Sequence, residues 1–174
     1  MTALSLSLLV PWAAGIVLLV MDARRRRVRW LAVAALAATM VPLVALAVTV
    51  FTEGPVVMTT GNWPVGVGIT MRAYALGVTF ALLSVCTLTA AVFHEALDHV
   101  GDREFAGLVV LLAVGLIGTF LSGDIFNFYV FFELSLASAY VLVVYGGTPR
   151  VLGAGLVFAA VNLLGTFVFL LSVA

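Results

Sequence analysis

Long apolar runs broken by short polar ones set the first prediction. Runs of about twenty apolar residues are long enough to cross the hydrocarbon core of a bilayer, whose thickness is about 30 Å. They predict helices over about residues 3–21, 30–51, 73–93, 105–122, 124–145 and 151–174. The fold class is therefore an all-α integral membrane protein of about six transmembrane helices in a single module. Pro11 and Pro42 fall inside the first two runs, where proline removes a backbone donor and favours a kink. Between the second and third runs, Glu53-Gly54-Pro55 and Thr59-Thr60-Gly61-Asn62-Trp63-Pro64 mark a turn-rich excursion that suits a short β-hairpin, with Trp63 at headgroup level.

Composition agrees: 64% of the 174 residues are hydrophobic and 9% are charged, far from the usage of a soluble domain. The eight basic residues are all arginine, and the formal net charge is zero. Arg24, Arg25, Arg26, Arg27 and Arg29 cluster after the first run. Between two apolar spans this cluster reads as a topology anchor and a lipid-headgroup contact, not as a nucleic-acid patch. It makes the Arg24–Arg29 loop cytoplasmic and puts the N-terminus outside. The charges follow the first run instead of preceding it, so that run reads as a retained helix, not a cleaved leader.

The single cysteine, Cys86, lies in an apolar run and reads as a packing residue. His94 and His99 are five apart, off the four-residue spacing that puts two ligands on one helical face, so no metal site is expected. The stretch from His94 to Glu104 reads as a solvated loop. Nothing in the chain has the spacing of an iron–sulfur, haem or nucleotide site, so no cofactor is expected and a redox enzyme is a weaker reading than a transporter subunit.

One residue breaks the apolar pattern where breaking it is expensive. Glu133 lies about 13 to 14 Å from the helix start at Asp124, near the middle of the bilayer. Carboxylates there are rare, face protein or water, and mark ion pathways. Phe126, Tyr129, Ala137 and Tyr140 share its stripe on a helical wheel. Two readings stand: a carboxyl that handles protons, and one held in a fixed interhelical hydrogen bond or ion pair. Tyr129, Tyr140 and Asn162 are candidate path-lining groups, and Asn162 reads equally as a hydrogen-bonding link between helices. Asp124 fits a helix N-cap, with ion entry as the alternative. Gly153, Gly155 and Gly165 read as close-packing positions.

The run from Leu121-Ser122-Gly123-Asp124-Ile125-Phe126-Asn127 through Phe128-Tyr129-Val130-Phe131-Phe132-Glu133, with Ala139-Tyr140-Val141-Leu142, resembles the antiporter-like membrane subunits. These are shared by Mrp-type multisubunit Na+/H+ antiporters and the pumping arm of respiratory complex I, and the likeness is greatest to the D-type subunits of the Mrp antiporters. Gly61-Asn62-Trp63-Pro64 and Val161-Asn162-Leu163-Leu164-Gly165 add to it. The resemblance implies the N-terminal part of a longer polypeptide of about fourteen helices in the cell membrane. It implies proton translocation through Glu133 coupled to Na+ export, with other membrane subunits as partners. In that family the matching glutamate works with a lysine on a later helix, and this chain has no lysine. Related subunits place an aspartate where Arg72-Ala73-Tyr74 stands. A pumping subunit of an NADH-quinone oxidoreductase, which leaves a translocase open within a respiratory complex, and a non-transporting accessory or truncated fragment are the alternatives.

Overall fold

The computed structural model describes residues 2–59, 68–98, 103–145 and 147–173. Six helices and one hairpin follow in chain order: α1 (Thr2–Val20), α2 (Arg26–Glu53), β1 (Val56–Thr59), β2 (Thr70–Ala73), α3 (Ala75–Asp98), α4 (Phe105–Phe120), α5 (Ile125–Val144) and α6 (Pro149–Val173). Among the described residues, five helices are long and apolar enough to cross a membrane, and α4 is apolar but shorter. The chain is a multi-pass membrane protein. The Gly61–Pro64 stretch with Trp63, and also His99, Gly146 and Ala174, lie outside the described residues.

The shortest helix is the hub. α4 packs against α1, α3 and α5, with a smaller contact to α2. Its buried residues run round its whole circumference, from Ala106 to Gly118, as expected of an apolar helix enclosed by others. Small residues let its neighbours approach closely. A Cβ on Gly115 would lie 2.7 Å from Ser135 Cα, and one on Gly118 would run into the Phe131 ring. Close backbone approach through small residues is how helices gain contact in lipid, where burial of apolar surface supplies little drive. α6 lies at the other extreme, against α5 at the edge of the bundle, and leaves Leu156, Val157, Val161, Leu164 and Leu171 exposed.

The arginine cluster is less of a loop than expected. Arg26, Arg27 and Arg29 belong to the first turns of α2. Arginine is a good helix former, and the apolar run that follows extends the helix back through it, against the unfavourable dipole. Arg29 is buried and folds back on the preceding turn: its Nη1 donates to the Ala23 carbonyl (3.4 Å) and the Arg24 carbonyl (2.9 Å). The Ala23 amide donates to the Arg103 carbonyl (3.0 Å), fixing that turn to the start of α4.

α3 differs from expectation at both ends. It starts at Ala75 because residues 70–73 are a strand, and it runs on to Asp98, so His94 is helical and its Nε2 lies 3.1 Å from Asp98 Oδ2. A His–Asp contact four residues apart supports a helix end beyond the apolar run. Cys86 is exposed, not packed inside. The buried stripe of α3 passes through Val78, Ala81, Val85 and Val92, and position 86 is about 100° from Val85.

The excursion between α2 and α3 does form a hairpin, an antiparallel pair with Val56 opposite Ala73 and Met58 opposite Met71. The α4–α5 connection joins its far edge. The Arg72 amide donates to the Leu121 carbonyl (2.7 Å), and the Gly123 amide donates to the Thr70 carbonyl (2.8 Å). A Cβ on Gly123 would lie 2.9 Å from that Thr70 oxygen, so the approach requires glycine.

Candidate functional site around Glu133

α5 carries the chemistry, and its start is fixed by one carboxylate. Asp124 Oδ1 accepts from the Asn127 amide (2.7 Å) and Oδ2 from the Thr70 amide (3.0 Å). The first bond caps α5. The second ties the helix to β2. Asn127 is buried and its Nδ2 donates to Met71 Sδ (2.9 Å), while Ser5 Oγ donates to Met58 Sδ (3.2 Å). The two methionines opposed across the hairpin thus hold it to α5 and α1. Beneath the hairpin, Met58, Met71, Asn127, Trp12 and Leu8 border an apolar cavity of about 400 Å³.

Two faces of α5 differ in what they meet. Phe131 and Ser135 lie against the glycines of α4. Ser135 and Ser138 are buried, and their hydroxyls donate to the Phe132 (2.7 Å) and Leu134 (3.2 Å) carbonyls, which leaves no polar demand on that side. At 3.6 residues per turn, positions 131, 135 and 138 lie about 140 to 160° from Glu133. Glu133 therefore projects away from α4, toward the flank that α6 only partly covers. It is half-buried, yet its Oε1 is fully buried and has no hydrogen-bond partner among the described residues. The same holds for the Tyr140 hydroxyl. The Tyr140 ring meets Phe158 of α6 edge-on, at 5.6 Å and 85°.

The remaining candidates divide. Tyr129 is half-buried, one turn before Glu133 on the same stripe. Asn162 is half-buried, and its Nδ2 donates to the Phe158 carbonyl of its own helix (2.8 Å). It neither joins Glu133 nor links two described helices. A Cβ on Gly153 or Gly165 would meet nothing within 4 Å, whereas one on Gly155 would meet Val144, so of these three only Gly155 packs closely against another described residue. Among the described residues no group of three His, Cys, Asp or Glu side chains could hold a metal ion. Sequence reasoning missed Asn127 and the thioether acceptors. The signal available was an amide side chain in the first turn of a capped membrane helix, where a polar group needs a partner.

Comparison with known proteins places this arrangement. No family model matches the chain. The D component of a probable K(+)/H(+) antiporter from Rhizobium meliloti (strain 1021) is 35% identical over 98% of this chain and 33% of its own length. The D component of the Na(+)/H(+) antiporter of Bacillus subtilis (strain 168) is 32% identical over 97% of this chain and 35% of its own length. Among solved structures, a chain of the Mrp complex from Dietzia sp. DQ12-45-1b superposes with a TM-score of 0.78 at 28% identity, over 98% of this chain and 33% of that one. The chain matches the N-terminal part of the D-type antiporter subunits. It spans about a third of the length of the curated relatives it matches. A chain of the membrane-bound sulfane sulfur reductase, an archaeal respiratory membrane complex, has a TM-score of 0.81 at 18% identity over 97% of this chain and shares the fold. The antiporter matches cover α5 with Asp124 and Glu133, so the residues singled out above lie within them.

Proposed function

We propose that this chain is the N-terminal module of a membrane subunit in a multisubunit monovalent cation/proton antiporter, and that Glu133 carries the proton. The observation that carries the reading is the placement of Glu133. Its carboxyl lies about 12 Å along α5 from Ile125, on the face turned away from α4, with one oxygen buried and unpartnered among the described residues. Burial favours the neutral acid, and a cation brought alongside favours the carboxylate. A carboxyl that meets these two environments in turn takes up and releases a proton. The cation that alternates with it comes from helices outside this chain, in the same subunit or a neighbouring one.

Relatives named for Na(+)/H(+) and K(+)/H(+) exchange support a monovalent cation as the second substrate, and we assign Na+. Other membrane subunits of the complex and the lipid bilayer are the partners. The arginine-rich turn faces the cytoplasm of the cell membrane, which puts the N-terminus and the hairpin outside. The test is Glu133→Gln in the full subunit within its complex, assayed in inverted membrane vesicles as cation-driven collapse of a pH gradient. Exchange should fall at least tenfold while the complex accumulates normally, and Glu133→Asp should retain part of it. Normal exchange by Glu133→Gln in a normally assembled complex contradicts the proposal. Loss of assembly with both variants would make Glu133 a packing group instead.

A further inference from the structure

Two buried polar atoms without partners lie on one edge of α5. Glu133 Oε1 and the Tyr140 hydroxyl are both enclosed, and neither meets a donor or acceptor among the described residues. Seven residues along a helix bring the second position within about 20° of the first and about 10.5 Å farther along the axis. Long side chains on a helix point back toward its N-terminus, so Tyr140 reaches toward Glu133. Leu136 and Ala137, three and four residues after Glu133, are the two positions between them, and Ala137 puts only a methyl group on its side of the stripe. The Tyr140 ring is held from the side by Phe158, which fixes the hydroxyl without bonding to it. Polar groups inside a membrane protein are satisfied by protein or by water. Two polar groups too far apart for a direct hydrogen bond are joined through water.

Alternatives for the neighbouring group are few. α4 contains no titratable side chain, and α6 contains only Arg150, in its first turn. On α5 itself the other titratable residue is Tyr129, on the opposite side of Glu133 along the axis.

We infer that the Tyr140 hydroxyl is the cytoplasm-side relay for the Glu133 proton, joined to the carboxyl through bridging water. This rests on the reading of Glu133 as the proton carrier and on the proposed orientation, which puts the C-terminal half of α5 toward the cytoplasm. In the transfer away from the carboxyl, its O–H bond breaks as the bridging water takes the proton. That water gives one of its own protons to the phenol oxygen. The proton originally on the phenol passes to the next water on the cytoplasmic side. The phenol and the bridging water end neutral, and the charge left behind is the carboxylate.

Tyr140→Phe keeps the ring against Phe158 and removes only the hydroxyl. In the assembled complex it should lower exchange about tenfold, raise the solvent deuterium isotope effect and change the pH profile, with complex abundance unchanged. Exchange at the wild-type rate with the wild-type pH profile overturns the relay. Glu133→Gln measured alongside separates the two claims: if it is silent while Tyr140→Phe is normal, only the relay fails, and if it is also normal, the carrier reading fails with it. Should Tyr140→Phe not accumulate, fluorotyrosine at position 140 preserves the shape and makes the phenol more acidic. A shifted pH profile then supports the relay, and an unshifted one overturns it.

Discussion

Asp124 has both carboxylate oxygens committed, one to the first turn of α5 and one to the strand edge of the hairpin. That commitment favours its reading as a cap over ion entry, and the two readings predict different substitutions. Asn caps as well as Asp, but its Nδ2 cannot accept from the Thr70 amide, so Asp124→Asn should leave exchange near wild type and lower stability by about 0.5 to 1.5 kcal/mol through that one lost bond. Asp124→Ala should cost about 0.5 to 2 kcal/mol more through the lost cap, seen as a lower melting temperature of the purified complex. Loss of exchange by Asp124→Asn in a stable complex would make the charge itself functional. The sequence already held much of this level. The stripe joining Tyr129, Glu133 and Tyr140 follows from helical periodicity alone, and so does the cap before an apolar run. Asn162 was not legible, because a polar side chain in a membrane helix can satisfy itself on the carbonyl four residues back. Nor was the pairing of Asn127 with Met71, which depends on where the hairpin folds.

The element that organises the bundle is α4, and its interface with α5 is built on two glycines. A methyl group at Gly115 has no space that Ser135 does not already occupy, and backbone cannot move aside as a flexible side chain can. Gly115→Ala should therefore push α5 outward and destabilise the complex by about 1 to 3 kcal/mol. Because α5 positions Glu133, exchange should fall with it. An unchanged melting temperature for Gly115→Ala would mean that the two helices do not pack this closely. All six helices were legible as apolar runs, but their ends were not. α2 reaches back through Arg26, α3 yields its start to β2 and runs past Phe93 to Asp98. Hydropathy marks where a helix is apolar, whereas helix ends are set by propensity, capping and strand pairing. That the shortest run would be the central one was equally beyond a linear pattern, since burial on all sides depends on which helices surround it.

At the scale of the whole molecule, the carboxyl of interest is at an edge. Glu133 faces away from the hub helix, and the only described helix near that flank is α6, itself largely exposed. An acidic group on an incompletely covered face is what a module that docks against further helices would present. The proposed orientation rests on the arginine turn and can be checked with single cysteines in a background where Cys86 is replaced. Arg25→Cys should react with an impermeant thiol reagent only from the cytoplasmic side, and Glu53→Cys only from outside. The reverse pattern would invert the proposed path. The most direct test of the central claim is an infrared pH titration of the reconstituted complex, taken as the difference between wild type and Glu133→Gln. A carboxylic acid carbonyl band absent from the variant should give way to a carboxylate band within the pH range where exchange operates. A Glu133 signal that stays in one protonation state throughout that range, in a complex that is exchanging, would contradict the account.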